Sequence, residues 1–210
     1  MNVLRNFAVF EGLDGSGTST QMKLLTRRFG LPGAALPPLY ATAEPTDGET
    51  GILIRRALKG EPALLSETLA RLFAADRGEH LYGTGGIAER AGRGELVVCD
   101  RYVPSSLVYQ GLECGEELPR ALNSPFPAPE LILFFDLDPR AAAERIRNRK
   151  GRDIYERADF QIKVHSRYLS LLPFFRSQGS AVARIDAALG PEDVAEQVWA
   201  ALRNMPIMRG

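Results

Sequence analysis

The segment FAVFEGLDGSGTSTQ, residues 7–21, constrains this chain more than any other feature. Four apolar residues, Phe7–Phe10, run into Glu11 and then into Gly12, Gly15 and Gly17, and a helical stretch follows from Thr18. An unbroken apolar run of this length reads as a strand buried on both faces, as parallel sheets require. Three more runs have this character: Leu96–Cys99, Leu131–Phe135 and, more weakly, Ala181–Ile185. Asp100, Asp136 and Asp186 end them as Glu11 ends the first, and strand C-terminal ends are where open α/β sheets bind ligands. Helical patterns fall between the runs at 18–29, 49–60, 65–82, 103–112, 139–149, 154–177 and 191–203. This alternation predicts a three-layer α/β fold with crossover helices.

Punctuation agrees with that outline. Pro139 and Pro191 follow strand ends and suit first helical turns, where a missing N–H costs little. Residues 30–38 and 124–129 read as loops, and neither is long or polar enough for an interdomain linker. With 210 residues, 45% of them hydrophobic, the chain can bury one sizeable core, so residues 1–210 are expected to form a single domain. The 26 basic and 26 acidic residues balance, which argues against a nucleic-acid coat or a polybasic membrane anchor. Cys99 and Cys114 are too few for a disulfide framework, and His80 and His165 stand isolated, without metal-ligand spacing. Neither a signal-peptide pattern nor an apolar run of transmembrane length is present, so the expectation is a cytoplasmic chain.

Gly12, Gly17 and Ser19 match the spacing of the phosphate-binding loop G-x-x-x-x-G-K-[S/T], but Thr18 stands where that pattern has lysine. Glycines let backbone N–H groups converge on phosphate oxygens, and the helix N-terminus adds partial positive charge. Residues Gly12, Gly15, Ser16, Gly17, Thr18, Ser19 and Thr20 are therefore candidates for holding a nucleotide phosphate, with the Ser19 hydroxyl available to Mg²⁺. The lost ammonium would be worth on the order of 3 kcal/mol, if it resembles other preorganised transition-state donors. A glycine-rich strand-to-helix turn occurs in many α/β folds, so the rest of the chain has to decide.

Four further segments, in order and spacing, resemble the thymidylate kinase family: EPTDGETGILIR, LFAADR, VVCDRYVPSSLVYQG and RNRKGRDIYERADFQIKVHSRYL. With the phosphate loop they span nearly the whole chain. The resemblance implies a P-loop fold with a five-stranded parallel sheet, helices on both sides and a short lid at about 148–155. It implies phosphoryl transfer from Mg·ATP to dTMP, and a homodimer. Glu44, Pro45 and Arg55 would belong to the substrate site. Phe73 would stack on the base and Arg77, one helical turn later, would bond its edge. Arg101 would grip the dTMP phosphate, Ser106 and Gln110 would contact the base, and Tyr109 would pack under the deoxyribose. Asp100 would help organise Mg²⁺ through water, and Asp14 would lie near the sugar 3′-hydroxyl. Asp186 and Ala187 would fall by the adenine site.

Members with a small residue at the position of Gly15 take a catalytic arginine from the lid, here drawn from Arg147, Arg149 and Arg152. The chain departs from the family pattern at Thr18, at Ala43, where bacterial members commonly have arginine, and at Ile154, which follows the lid aspartate. Lys23 is expected to point away from the loop. Two other readings compete: a nucleotide-binding protein weakened in catalysis by the loss of its lysine, and a kinase for another pyrimidine monophosphate such as dUMP, since one methyl discriminates by only about 1–3 kcal/mol.

Overall fold

A computed structural model describes residues 2–33, 36–147, 155 and 158–209. Five parallel strands form one sheet: β1 Val3–Gly12, β2 Leu39–Ala43, β3 Leu96–Asp100, β4 Ala128–Asp136 and β5 Ala181–Asp186, in spatial order β2-β3-β1-β4-β5. The three central strands carry the apolar runs, and Phe7–Phe10, Leu96–Cys99 and Ile132–Phe135 are fully buried, as strands covered on both faces must be.

Helices α1 Thr18–Phe29, α2 Glu49–Leu58, α3 Ser66–Tyr82, α4 Ile87–Gly92, α5 Val103–Cys114, α6 Glu117–Asn123, α7 Pro139–Ile146, α8 Ala158–Ser177 and α9 Pro191–Leu202 make the crossovers, and a short 3₁₀ turn spans Pro206–Arg209. Helix α1 packs on α9, where Trp199 meets Phe29 edge-on at 5.9 Å and Arg28 lies 4.1 Å over its ring; Trp199 is thus a packing residue. Pro139 and Pro191 each open a helix, and the Asp138 carboxylate accepts from the N–H of Arg140 at 2.8 Å. Among the described residues no helix is long and apolar enough to cross a membrane.

The structure corrects several expectations. Strand β2 carries no continuous apolar run, because it is an edge strand whose LYATA residues are only half-buried. Helices α4 and α6 are too short to show a period. Helix α2 stops at Leu58 rather than 60, since Gly60 turns into left-handed backbone at φ 85°. The loop expected at 124–129 ends early: Ala128 and Pro129 already belong to β4, and Pro129 needs no ladder N–H because β5 begins pairing only at Leu131. Helix α7 is described to Ile146 and α8 from Ala158, so the expected extensions to 149 and back to 154 reach positions outside the described residues.

Strand register aligns the functional ends. Phe10 pairs with Asp100, Ala43 with Asp100, Gly12 with Phe135 and Asp136 with Asp186, so all five C-terminal ends share one edge. The chain reverses its direction of winding at β1, and the glycine-rich turn lies at that switch point.

Candidate active site

Gly15 and Gly17 hold left-handed backbone at φ 88° and 96°, which glycine adopts without steric cost. Gly15 is also pressed against α7, where a Cβ would lie 2.6 Å from the Ala142 carbonyl oxygen. Gly12 is equally crowded, with Ser16 Oγ and the Phe135 carbonyl both within 2.9 Å of an added Cβ. The turn is closed by Ser16 N–H donating to the Leu13 carbonyl at 3.0 Å, and the N–H groups of Thr20 and Gln21 donate to the Gly17 carbonyl.

Two cavities open from this turn. One, of about 420 Å³, is lined by the loop from Leu13 to Gln21, by Asp100 and Arg101, and by Arg145, Ala187 and Leu189 at its far end. The other, of about 380 Å³, gathers the residues that the sequence nominates for substrate: Glu44, Pro45, Arg55, Phe73, Arg77, Ser106, Tyr109 and Gln110. Asp14, Ser19 and Arg101 line both. Residues from four separate sequence segments therefore meet around one chamber, which opens onto the loop through three shared side chains.

Arg101 sits where these cavities join. Its own backbone is left-handed at φ 72°, an unusual state for a residue with a Cβ. Nη2 donates to Asp14 Oδ1 at 2.5 Å, and Nη1 reaches the Gly12 carbonyl at 3.2 Å, Ser105 Oγ at 3.3 Å and Tyr109 OH at 3.4 Å. Tyr109 lies beneath the guanidinium, 5.2 Å from ring centre to Cζ.

The lysine position is filled by a hydroxyl that points at a carboxylate. Thr18 Oγ1 and Ser19 Oγ both donate to Asp100 Oδ2, at 3.1 and 3.3 Å. The other oxygen, Oδ1, is buried without a partner, and burial raises the Asp100 pKa above the usual carboxylate range. An unpartnered carboxylate oxygen beside two hydroxyls is a donor set suited to a hard cation such as Mg²⁺.

One wall of the second cavity is built on buried charge. Arg77, 1% exposed, donates through Nε and Nη2 to Glu44 Oε2 at 3.0 and 2.7 Å, and through Nη1 to Asn123 Oδ1. Three of its five N–H groups are engaged, leaving two for a ligand. Glu44 is committed to Arg77 and to His80 Nδ1 at 3.2 Å, so it acts on the cavity through Arg77. Arg55 braces the Glu-Pro loop, donating to the carbonyls of Pro45 and Thr46 and pairing with Asp47 at 3.2 Å. Gln110 is buried with Oε1 unpartnered at the cavity wall.

Some placements differ from the sequence reading. His80 is not isolated, since Glu44, His80 and Cys99 bring one potential ligand atom each within 4.8 Å of one another. Each is already hydrogen-bonded: Glu44 to Arg77, His80 to Thr42 Oγ1 at 2.8 Å, and Cys99 Sγ to the Arg101 carbonyl at 3.0 Å. Lys23 is not among the residues lining the loop-side cavity; it borders a third cleft of about 530 Å³ together with Ser19, Ala43 and Asp100. The lid arginines Arg149 and Arg152 lie outside the described residues.

Sequence reasoning passed over Glu11, Ser105, Tyr155 and Arg145 as site residues. Ser105 could have been found by its place in the first turn of the helix that follows Arg101. Arg145 donates to the Ala187 carbonyl at 3.0 Å at the far end of the loop-side cavity.

A parallel sheet in this order, a glycine loop at the switch point and two cavities joined at Asp14, Ser19 and Arg101 define a P-loop phosphotransferase acting between two nucleotides. The thymidylate kinase family model matches residues 10–198. A Treponema pallidum protein bearing the thymidylate kinase name is 43% identical over 207 residues, covering 97% of this chain and 98% of its own. Similarly named proteins of Pyrobaculum aerophilum and Aeropyrum pernix are 40% and 39% identical, over 91% of this chain in each case and 93% and 95% of their own. The chain belongs to the thymidylate kinase family, and its reaction is the phosphorylation of dTMP by ATP.

Proposed function

We propose that the transfer is direct and in line, from Mg·ATP in the loop-side cavity to the phosphate of dTMP in the chamber walled by Phe73 and Arg77. The observation that carries this reading is that Asp14, Ser19 and Arg101 line both cavities, so one set of side chains faces donor and acceptor together. The acceptor phosphate already offers a nucleophilic oxygen, so positioning and charge neutralisation supply the catalysis and no strong base is needed.

Arg101 holds the acceptor phosphate, its guanidinium being set on Tyr109 and paired with Asp14. Phe73 stacks on thymine, Arg77 uses its two remaining N–H groups on the base edge, and Ser106 and Gln110 complete that contact. Tyr109 packs beneath the sugar, near Asp14. Backbone N–H groups of Gly15, Gly17, Thr18 and Ser19 cradle the donor phosphates at the start of α1. Ser19 and, through water, Asp100 hold Mg²⁺, which when bound neutralises the phosphates being parted. Arg149 and Arg152 of the lid supply the positive charge that Thr18 does not. The protein works as a single-domain homodimer in the cytoplasm.

A second reading, a weakened nucleotide-binding protein, draws on one observation: the side chain at the lysine position is a neutral hydroxyl already turned onto Asp100. A coupled ADP-release assay with Mg·ATP and each nucleoside monophosphate separates the two. Turnover selective for dTMP that collapses in Arg101→Ala supports the kinase mechanism. Measurable dTMP binding without turnover, rescued by Thr18→Lys, supports the weakened protein. Equal turnover of dUMP and dTMP would replace dTMP selectivity with broader pyrimidine use.

A further inference from the structure

Glu11 is the most deeply buried acid of the site region, fully excluded from solvent, and it lines neither cavity. It precedes Gly12 at the end of β1, and the hydrogen-bond partners of its carboxylate among the described residues lie just after Arg101 or on α8. Oε1 accepts from the backbone N–H of Tyr102 at 2.9 Å and of Ser105 at 3.4 Å. Oε2 accepts from Ser105 Oγ at 2.6 Å and from Tyr168 OH at 2.8 Å.

The two N–H groups are those that the start of α5 leaves without intrahelical partners. Tyr102, at the N-cap, has no side-chain oxygen placed to take them, and the helix carries no acid in its first turn. The capping charge comes instead from the neighbouring strand, where a carboxylate also complements the helix dipole. Tyr102 N–H belongs to the peptide that directly follows Arg101, the residue held at φ 72°. Ser105 Oγ, fixed by Glu11, accepts in turn from Arg101 Nη1 at 3.3 Å. One carboxylate thus fixes the backbone just after Arg101 and the hydroxyl that steers its guanidinium. Through Tyr168 it ties both to α8.

We infer that Glu11 is a positioning residue for the acceptor phosphate, acting through Ser105 and the Tyr102 N–H on Arg101 without touching either nucleotide. This deepens the proposed function, because it rests on Arg101 holding the dTMP phosphate. The charge of Arg101 is unchanged when Glu11 is altered; what changes is where that charge sits. Loss of the carboxylate should therefore weaken dTMP and leave ATP, held by the loop backbone, nearly untouched.

The test is steady-state kinetics on the full-length protein, with KM for dTMP and for ATP measured separately in wild type, Glu11→Gln, Ser105→Ala and Arg101→Ala. The expected result is a rise of about tenfold or more in KM for dTMP in both Glu11→Gln and Ser105→Ala, with KM for ATP within about twofold of wild type. The Glu11→Gln/Ser105→Ala double variant should be no worse than the poorer single one, since both cut the same link. If Glu11→Gln does not fold, Ser105→Ala, which removes one oxygen, carries the test alone. Equal changes in the two KM values, or none, while Arg101→Ala still abolishes dTMP use, would overturn the role of Glu11 and leave the kinase reading intact. Full activity in Arg101→Ala would overturn the reading on which it rests.

Discussion

Asp14 Oδ1 lies 2.5 Å from Arg101 Nη2, and both side chains border the two cavities that open from the glycine loop. The pair joins the glycine loop after β1 to the turn after β3, and the two partners are 26% and 24% exposed. Arginine's planar fork can keep one arm on Asp14 while presenting the other to a phosphate, which a lysine ammonium cannot do. Arg101→Lys is therefore expected to lose about two to three orders of magnitude in kcat/KM for dTMP. Asp14→Asn should also impair turnover, by freeing the guanidinium from its register. Initial rates at varied dTMP check both.

Thr18→Lys places an ammonium at the head of α1 in exchange for the Thr18–Asp100 hydrogen bond. The ammonium is worth about 3 kcal/mol to the transition state, whereas the lost bond to the Asp100 carboxylate, worth about 1.5–3 kcal/mol, is made already in the free protein. The variant should show kcat/KM for ATP about tenfold or more above wild type. No increase would mean that other groups already provide that charge.

Lys23 is one cation to test for that role. It is exposed, and it shares its cleft with Ser19 and Asp100. Lys23→Ala should raise KM for ATP by about two- to fivefold at low salt, with the effect fading as ionic strength rises. It should vanish in the Thr18→Lys background. A salt-independent effect would indicate packing rather than charge.

Burial raises the Glu11 pKa from its ordinary value to about 7, against the hydrogen bonds of Ser105, Tyr168 and Tyr102 and the charge of Arg101. A carboxyl whose folded pKa is raised contributes stability that is fully present below its unfolded pKa and is lost as pH rises through the folded one. Stability should therefore fall between about pH 4.5 and 7 by about 3 kcal/mol relative to Glu11→Gln, then level off. Urea midpoints for both proteins across that range measure the difference.

Much of this was legible in the chain itself. The three central strands announce themselves because burial on both faces demands unbroken apolar runs, and their register carries Asp100 to the loop. The motifs grouped Phe73, Arg77, Ser106, Tyr109 and Gln110, and the structure brings these five side chains to one cavity. Strand β2 escaped because an edge strand needs no such run. Glu11 escaped as a partner of Arg101 because its role depends on Ser105 and Tyr168, 94 and 157 residues away in the chain.

Glu44→Ala should be the most damaging to stability of the substitutions on this cavity wall, since it leaves the buried Arg77 guanidinium without its carboxylate. Breaking one side of a buried ion pair costs about 3–5 kcal/mol. The melting temperature should fall by on the order of 10 °C. A variant that melts like wild type would show that Asn123 and water suffice.

That same arrangement has a thermodynamic consequence for recognition. Arginine normally surrenders rotamer freedom when it engages a ligand, at about 0.5–1.5 kcal/mol for a side chain immobilised at an interface. Arg77 has surrendered it on folding, because Glu44 and Asn123 hold its fork before any nucleotide arrives. The ordering entropy falls on the folded protein rather than on any complex, and the Arg77 wall of the chamber is set before a ligand arrives.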